Sequence, residues 1–251
     1  MAETRSRLDA LLVTRGLAST RSRAADAIKR GTVRVDGIKA VKPGQRVANE
    51  ADIKIADPAA GLASRGGLKL IAALDAFEVE VVGLSCLDLG ASTGGFTDVL
   101  IKRGAAHVTA IDVGHGQFSR ELAANPNVTC YEKLDARKLT MDHLNAAPQL
   151  LVADLSFIGL AKALPAAVAL AAPGAILISL IKPQFEAGPA DVGKGGIVRN
   201  EAVQARVCDE VSQWLTENSW SIEGLIPSPI EGGSGNREFL ICARKKAGVS
   251  P

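Results

Sequence analysis

Cysteine, histidine and aromatic residues are scarce in this 251-residue chain, which has four cysteines, three histidines, one tyrosine, two tryptophans and six phenylalanines. Cys86, Cys130, Cys208 and Cys242 lie far apart, with no paired spacing of the kind that builds a zinc site or a disulfide framework. They are expected as reduced core thiols, and no metal site is expected. Long apolar runs are also nearly missing. The one approaching membrane length, "LPAAVALAAPGAILISLI" from Leu164 to Ile181, is divided by Pro173-Gly174 into an Ala-rich helix and a β-rich strand. The reading is a buried helix, turn and central strand, with no membrane insertion. The opening "MAETRSRLDALLVTRG" carries no apolar stretch of signal-peptide length, so a cytoplasmic location is expected.

Net charge is nearly absent, at +2, yet the charge is unevenly spread. Residues 1–56 hold 12 Lys and Arg against 6 Asp and Glu, and the remainder holds 17 against 21. A basic head ahead of a mildly acidic body suggests a polyanionic partner, with a merely soluble basic face as the alternative. At 47% hydrophobic residues the chain can bury a full α/β core with a small second domain beside it.

Residues 5–14 and 20–30 read as short helices, followed by small strands in "TVRVDG", "VKPGQRV" and "DIKI". The unpatterned "DPAAGLAS", residues 57–64, reads as a linker. Beyond it strands and helices alternate, the pattern of a mostly parallel sheet covered on both faces. The strands are "SCLDL", "HVTAIDV", "VTCYEK", "LLVADLS", "AILISLIK", "SIEGLIPSP" and "EFLICAR", the last two forming an antiparallel hairpin at the sheet edge. Helices are expected around 66–77, 94–104, 116–124, 158–171 and 200–217.

The stretch "LDLGASTGGFT" puts Gly90, Ser92, Thr93, Gly94 and Phe96 between a strand and a helix, where backbone N–H groups and a helix N-terminus form a polar pocket. It is neither G-x-G-x-x-G nor a P-loop. Asp112 ends the next strand, 22 residues after Gly90, where a carboxylate can accept from both hydroxyls of a ribose. Asp135, after the third strand, suits an adenine amino group. Asp88, within the first strand, suits a cationic amino-acid portion, through water or backbone. A nucleoside with a cationic tail and no phosphate is S-adenosylmethionine. NAD remains the competing ligand.

Four further charges stand at strand ends or helix starts: Lys69 in "RGGLK", Asp154 in "DLSF", Lys182 in "KPQFE" and Glu238 in "NREF". In this order, together with "LDLGASTGGFT" and "KGGIVRN", they resemble the TlyA (haemolysin A-type) family of ribosomal RNA 2′-O-methyltransferases, within the FtsJ-type group. "RLDALLV…AIKRGTVRVDG" resembles the RNA-binding module of ribosomal protein S four, with Thr20 where that family more often has Ser. The resemblance covers nearly the whole chain. It implies a Rossmann-like class I methyltransferase with a seven-stranded, mostly parallel sheet over residues 65–246, a small α+β RNA-binding domain over 1–56, and a tail over 247–251.

The activity so implied is transfer of a methyl group from S-adenosylmethionine to a cytidine 2′-hydroxyl in large-subunit rRNA and, in some members, also in small-subunit rRNA. Lys69, Asp154, Lys182 and Glu238 would be catalytic. Asp88, Gly90, Ser92, Thr93, Gly94, Phe96, Asp112, Asp135 and Asp154 would hold the methyl donor. Arg7, Arg21, Arg23, Lys29 and Arg30 would contact RNA, although their helical spacing cannot put all five on one face. Ribosomal subunits are the implied partners of a monomeric enzyme. Two other readings stay open, a membrane-damaging haemolysin and an inactive RNA-binding assembly factor.

Overall fold

The structure, a computed structural model, describes residues 4–232 and 235–248. The chain divides into two compact units, Met1–Ala60 and Gly61–Pro251, so the division falls inside the stretch expected as a linker.

In the first unit, β1 (Arg5–Arg7) leads into α1 (Leu8–Thr14) and α2 (Arg21–Arg30), followed by β2 (Val33–Val35), β3 (Ile38–Lys39), β4 (Arg46–Ala48) and β5 (Ile53–Ile55). Residues 5–7, expected as the start of a helix, instead pair antiparallel with β4, Arg5 opposite Ala48 and Arg7 opposite Arg46. Thr20 caps α2 by accepting a hydrogen bond from the Arg23 N–H, and Gly31 ends that helix at φ +74°. Leu8, Leu12, Ala24, Ile28 and Val33 are fully buried between the helices and the sheet β3-β2-β5.

The second unit contains α3 (Gly67–Ala76), β6 (Ser85–Leu89), α4 (Gly95–Lys102), β7 (His107–Asp112), α5 (Arg120–Ala123), β8 (Val128–Glu132), β9 (Leu150–Ala153), α6 (Leu160–Ala163), α7 (Pro165–Leu170), β10 (Ile176–Ile181), α8 (Pro183–Glu186), α9 (Glu201–Glu217), β11 (Trp220–Pro227) and β12 (Phe239–Lys245). All seven strands join one sheet in the order β11-β12-β10-β9-β6-β7-β8. The five strands from β10 to β8 are parallel, and β12 runs antiparallel to both β10 and β11, which gives the edge hairpin expected from the sequence.

Alternating strand residues feed two cores. Cys86, Val108, Val152, Ile178 and Leu240 pack against Leu70, Leu74, Phe96 and Val99 of α3 and α4. Leu87, Ile111, Leu151, Leu177 and Ile241 pack on the other face against Leu160, Ala167, Val207, Val211 and Leu215. The run Leu164–Ile181 becomes α7, a turn and β10; no helix among the described residues is long and apolar enough to cross a membrane.

Two helices differ from their expected extents. The helix expected over 158–171 is broken into α6 and α7 at Pro165, which has no N–H for the α6 ladder. The one expected over 116–124 shrinks to α5, because the Glu132 carboxylate takes the N–H groups of Gly116, Gln117 and Phe118.

Candidate active site

Parallel strands deliver their carboxyl ends to one side of the sheet, and the order β9-β6-β7 makes β6 the switch point, where α/β folds form a crevice. Gly90, Asp112, Asp154 and Lys182 each follow or end one of these strands. The antiparallel β12 brings its beginning to the same edge, Phe239 pairing with Ile181, so Glu238 stands beside Lys182 although 56 residues separate them in the chain.

Two glycine pairs set the floor. A Cβ on Gly67 would stand 3.0 Å from the Gly95 carbonyl oxygen and 3.0 Å from Val99 Cγ2, and one on Gly95 would meet the Ser64 hydroxyl. The first turns of α3 and α4 therefore approach closely, which explains "RGG" and "TGG" and carries Lys69 into the site. Gly90, at φ +83°, admits the Asp154 backbone; a Cβ there would lie 2.7 Å from the Asp154 carbonyl oxygen. Gly94, at φ +91°, leaves room for Leu122 and the Phe118 ring.

Four charged side chains meet in alternating sign. Lys69 Nζ donates to Glu238 Oε2 at 2.6 Å and lies 3.9 Å from Asp154 Oδ2, while Lys182 Nζ is 2.6 Å from Asp154 Oδ1. Lys69, Lys182 and Glu238 are buried and Asp154 is half-buried, so each charge depends on its neighbours for compensation. Ser156, which the sequence reading did not single out, accepts a second hydrogen bond from Lys182 at 2.9 Å. An aromatic pair stands next to it. The Phe185 ring lies 5.9 Å from Lys182 Nζ, and Phe157, at φ +66° and 90% exposed, is 5.0 Å from Phe185. Phe157 is thus a large exposed aromatic held in a left-handed backbone conformation, one ring away from the buried lysine.

The expected donor-binding residues surround the same turn. Asp88 is fully buried; its Oδ2 accepts from the Thr97 N–H and hydroxyl at 2.9 and 2.6 Å, and its Oδ1 is buried without a hydrogen-bond partner. Burial pushes its carboxyl up to about 7, against the opposing pull of Thr97. Asp112 accepts from the N–H groups of Ser92 at 2.8 Å and Gly114 at 2.6 Å, leaving lone pairs on both oxygens. Ser92 is exposed at φ +49°, and Thr93 is half-buried.

Two expected donor-site residues have other local partners. The Phe96 ring belongs to the core against α3, so only its backbone N–H, in the first turn of α4, remains to meet a ligand. Asp135 caps the turn at 136–138 and is clamped by Arg137, whose guanidinium holds the carboxyl down at about 2. Glu132 was missed by the sequence reading. Its position at the end of β8, matching Asp112 at the end of β7, was the available signal. The backbone N–H groups that it binds hold its carboxyl below the usual range and shape the loop carrying Phe118.

In the first unit, carboxylates claim several of the expected RNA contacts. Arg7 forms a two-bond contact with Asp9, and Arg21 lies 3.1 Å from the same carboxylate; both remain largely exposed. Arg30 bonds Asp57 through both terminal nitrogens at 2.7 and 2.6 Å and Asp26 at 2.9 Å, so its guanidinium is spent within the fold. Arg23 donates to the Ala59 carbonyl at 3.3 Å, and Lys29 is exposed.

The arrangement fits S-adenosylmethionine. An unpartnered buried carboxylate oxygen suits a cationic tail, the glycine turn leaves backbone room, and Asp112 retains acceptors for a ribose diol. The family model described as "FtsJ-like methyltransferase" matches residues 62–245, and that of the S4 domain matches residues 6–53. The chain belongs to the FtsJ-like methyltransferase family.

Among the relatives of this FtsJ-like methyltransferase is the 16S/23S rRNA (cytidine-2′-O)-methyltransferase TlyA of Mycobacterium tuberculosis. The two are 46% identical over 96% of this chain and 90% of the relative. Hemolysin A of Brachyspira hyodysenteriae is 35% identical over 93% of this chain and 98% of its own. A solved structure described as a putative hemolysin from Streptococcus thermophilus superposes with a TM-score of 0.77 at 36% identity, covering 100% of this chain and 91% of that one.

Proposed function

We propose that this FtsJ-like methyltransferase transfers a methyl group from S-adenosylmethionine to the 2′-hydroxyl of a cytidine in large-subunit rRNA, with small-subunit rRNA as a second substrate. The observation that carries the reading is the Glu238–Lys69–Asp154–Lys182 chain of charges at the sheet edge that also bears the glycine turn. The near full-length likeness to an enzyme named for that chemistry supports it.

Asp88, Gly90, Ser92, Thr93, Gly94, the Phe96 N–H and Asp112 hold the donor, with Asp135 offering its remaining lone pairs to the adenine. When bound, the donor supplies an electrophilic methyl carbon whose leaving group departs as a neutral thioether. Lys182 uses two of its N–H positions on Asp154 and Ser156 and directs the third to the acceptor O2′, fixing it for in-line attack. The hydroxyl proton released on methylation goes to the Asp154 carboxylate, because an ammonium that already donates all three N–H groups has no lone pair to receive it. Lys69, anchored by Glu238, holds Asp154 in place. Phe157 receives the acceptor base.

The S4 unit binds RNA, ribosomal subunits present it, and the enzyme acts as a monomer in the cytoplasm. The test is incubation of labelled donor with both purified rRNAs and their subunits, followed by digestion to nucleosides. Label in 2′-O-methylcytidine is the expected outcome. Label on a base, or none, overturns the reading. Dye release from liposomes at stoichiometric protein would support the haemolysin alternative instead.

A further inference from the structure

Three cations stand side by side on the outer face of the S4 sheet. Arg34, at the centre of β2, pairs with Lys39 of β3 on one side and with Lys54 of β5 on the other. Its neighbours Val33 and Val35 point into the core, so strand alternation turns Arg34 and both partners outward, and all three are exposed. Like charges directly opposite one another in a sheet are destabilising. The fold thus maintains two repulsive cross-strand pairs in a row.

Local carboxylates compensate little of this charge. Asp52 lies 3.6 Å from Lys54, with both side chains largely in solvent, and Arg34 donates to the Gly37 carbonyl at 2.9 Å. The contrast is with the helical face, where Asp9 serves Arg7 and Arg21, and Asp26 and Asp57 serve Arg30. The row also borders a cavity of about 370 Å³ lined by Gly31, Thr32, Arg34, Lys54, Ile55 and Pro58. Lys39 lies against Gly31, so its ammonium reaches the same rim at the end of α2.

We propose that the Arg34–Lys39–Lys54 row is a second RNA-contact surface of the S4 unit, one that grips the phosphate backbone of an rRNA strand. Strands about 4.8 Å apart put the outer two cations roughly 10 Å from each other, room for two or three consecutive phosphates. The row reads no bases. It supplies sequence-independent affinity and orientation. The inference deepens the rRNA reading above and rests on it only for the identity of the polyanion.

The test is binding of the full chain to deproteinised rRNA across a salt series, for the parent, for the single variants Arg34→Gln, Lys39→Gln and Lys54→Gln, and for the triple variant. Each single substitution is expected to lower the slope of log affinity against log salt by about 0.7–0.9, and the triple to lose at least tenfold in affinity at moderate salt. Removal of the repulsive pairs should leave the melting temperature equal or higher. Should the triple variant lose its fold, protection in the parent decides: bound rRNA is expected to shield Lys39 and Lys54 from an amine-acylating reagent. Unchanged slopes in the folded variants, or unshielded lysines in the parent complex, overturn the row. Failure of the parent to methylate rRNA would overturn the reading of the catalytic site and not the row, since binding is measured without the methyl donor.

Discussion

Single carboxylates and single lysines make the most separable predictions. Lys182→Ala removes the group proposed to face O2′ while leaving the proposed donor cradle intact. Methyl transfer should fall by at least a thousandfold, a barrier increase of about 4 kcal/mol, with donor affinity within a few-fold of the parent by calorimetry. Activity within tenfold of the parent would remove Lys182 from the chemistry. Asp88 makes a pH prediction. Its carboxyl titrates near 7 in the fold, against an ordinary value near 4, so the folded chain keeps a proton that the unfolded chain has released. The contribution of Asp88 to stability therefore falls as pH rises from about 4 to 7, by an amount on the order of a few kcal/mol. The raised carboxyl of Glu186 acts in the same direction, so the informative quantity is the difference between the parent and Asp88→Asn. Urea midpoints of the variant should be flatter than those of the parent across pH 5–8. Parallel curves would contradict the assignment.

Among the elements, the β6–α4 turn admits the least change. Gly90→Ala asks an L residue to hold φ +83° with its Cβ 2.7 Å from a backbone oxygen of the neighbouring strand end, so β9 and β6 must move apart. The expected result is a loss of about 2–4 kcal/mol in thermal or urea unfolding, with donor binding reduced in step. A variant of parental stability and affinity would show that the turn tolerates a wider crevice.

Much of this level was readable from the chain itself. Strands such as "SCLDL" and "AILISLI" are short, apolar and bounded by turns, so they lie where expected. The helix expected over 158–171 misled because Pro165, placed at the first position of α7, both ends one helix and begins another. Residues 5–7 misled because their strand pairing is with β4, some 40 residues away, which local pattern does not report. The four charges were visible as unusual residues at strand ends or, for Lys69, near a helix start. Their meeting depends on β12 running backwards beside β10, which only the topology supplies. Ser156 and Phe157 carried no pattern of their own, and Glu132 only its place at the end of β8.

For the whole molecule, two units with separate cores match two families, the body an FtsJ-like methyltransferase and the head an S4 domain, and the proposed division of labour puts donor binding and catalysis in the body and RNA binding in the head. A chain trimmed to residues 61–251 should keep its affinity for S-adenosylmethionine and lose most of its affinity for rRNA, together with the steep salt dependence. If the trimmed chain binds rRNA as tightly as the whole, the charge asymmetry serves solubility instead. Within the head, Arg30→Ala should act on folding more than on RNA, because it leaves Asp57 and Asp26 without their shared partner. A lower melting transition of the head with an unchanged salt slope is the expected pair of results.

The most direct measurement of the central claim is the position of the methyl group. After incubation of the parent and Lys182→Ala with labelled S-adenosylmethionine and ribosomal subunits, nucleoside digestion and mass spectrometry should find 2′-O-methylcytidine in the parent reaction and none in the variant. Methyl groups on a base in the parent reaction, or equal ribose methylation by both proteins, would contradict the account.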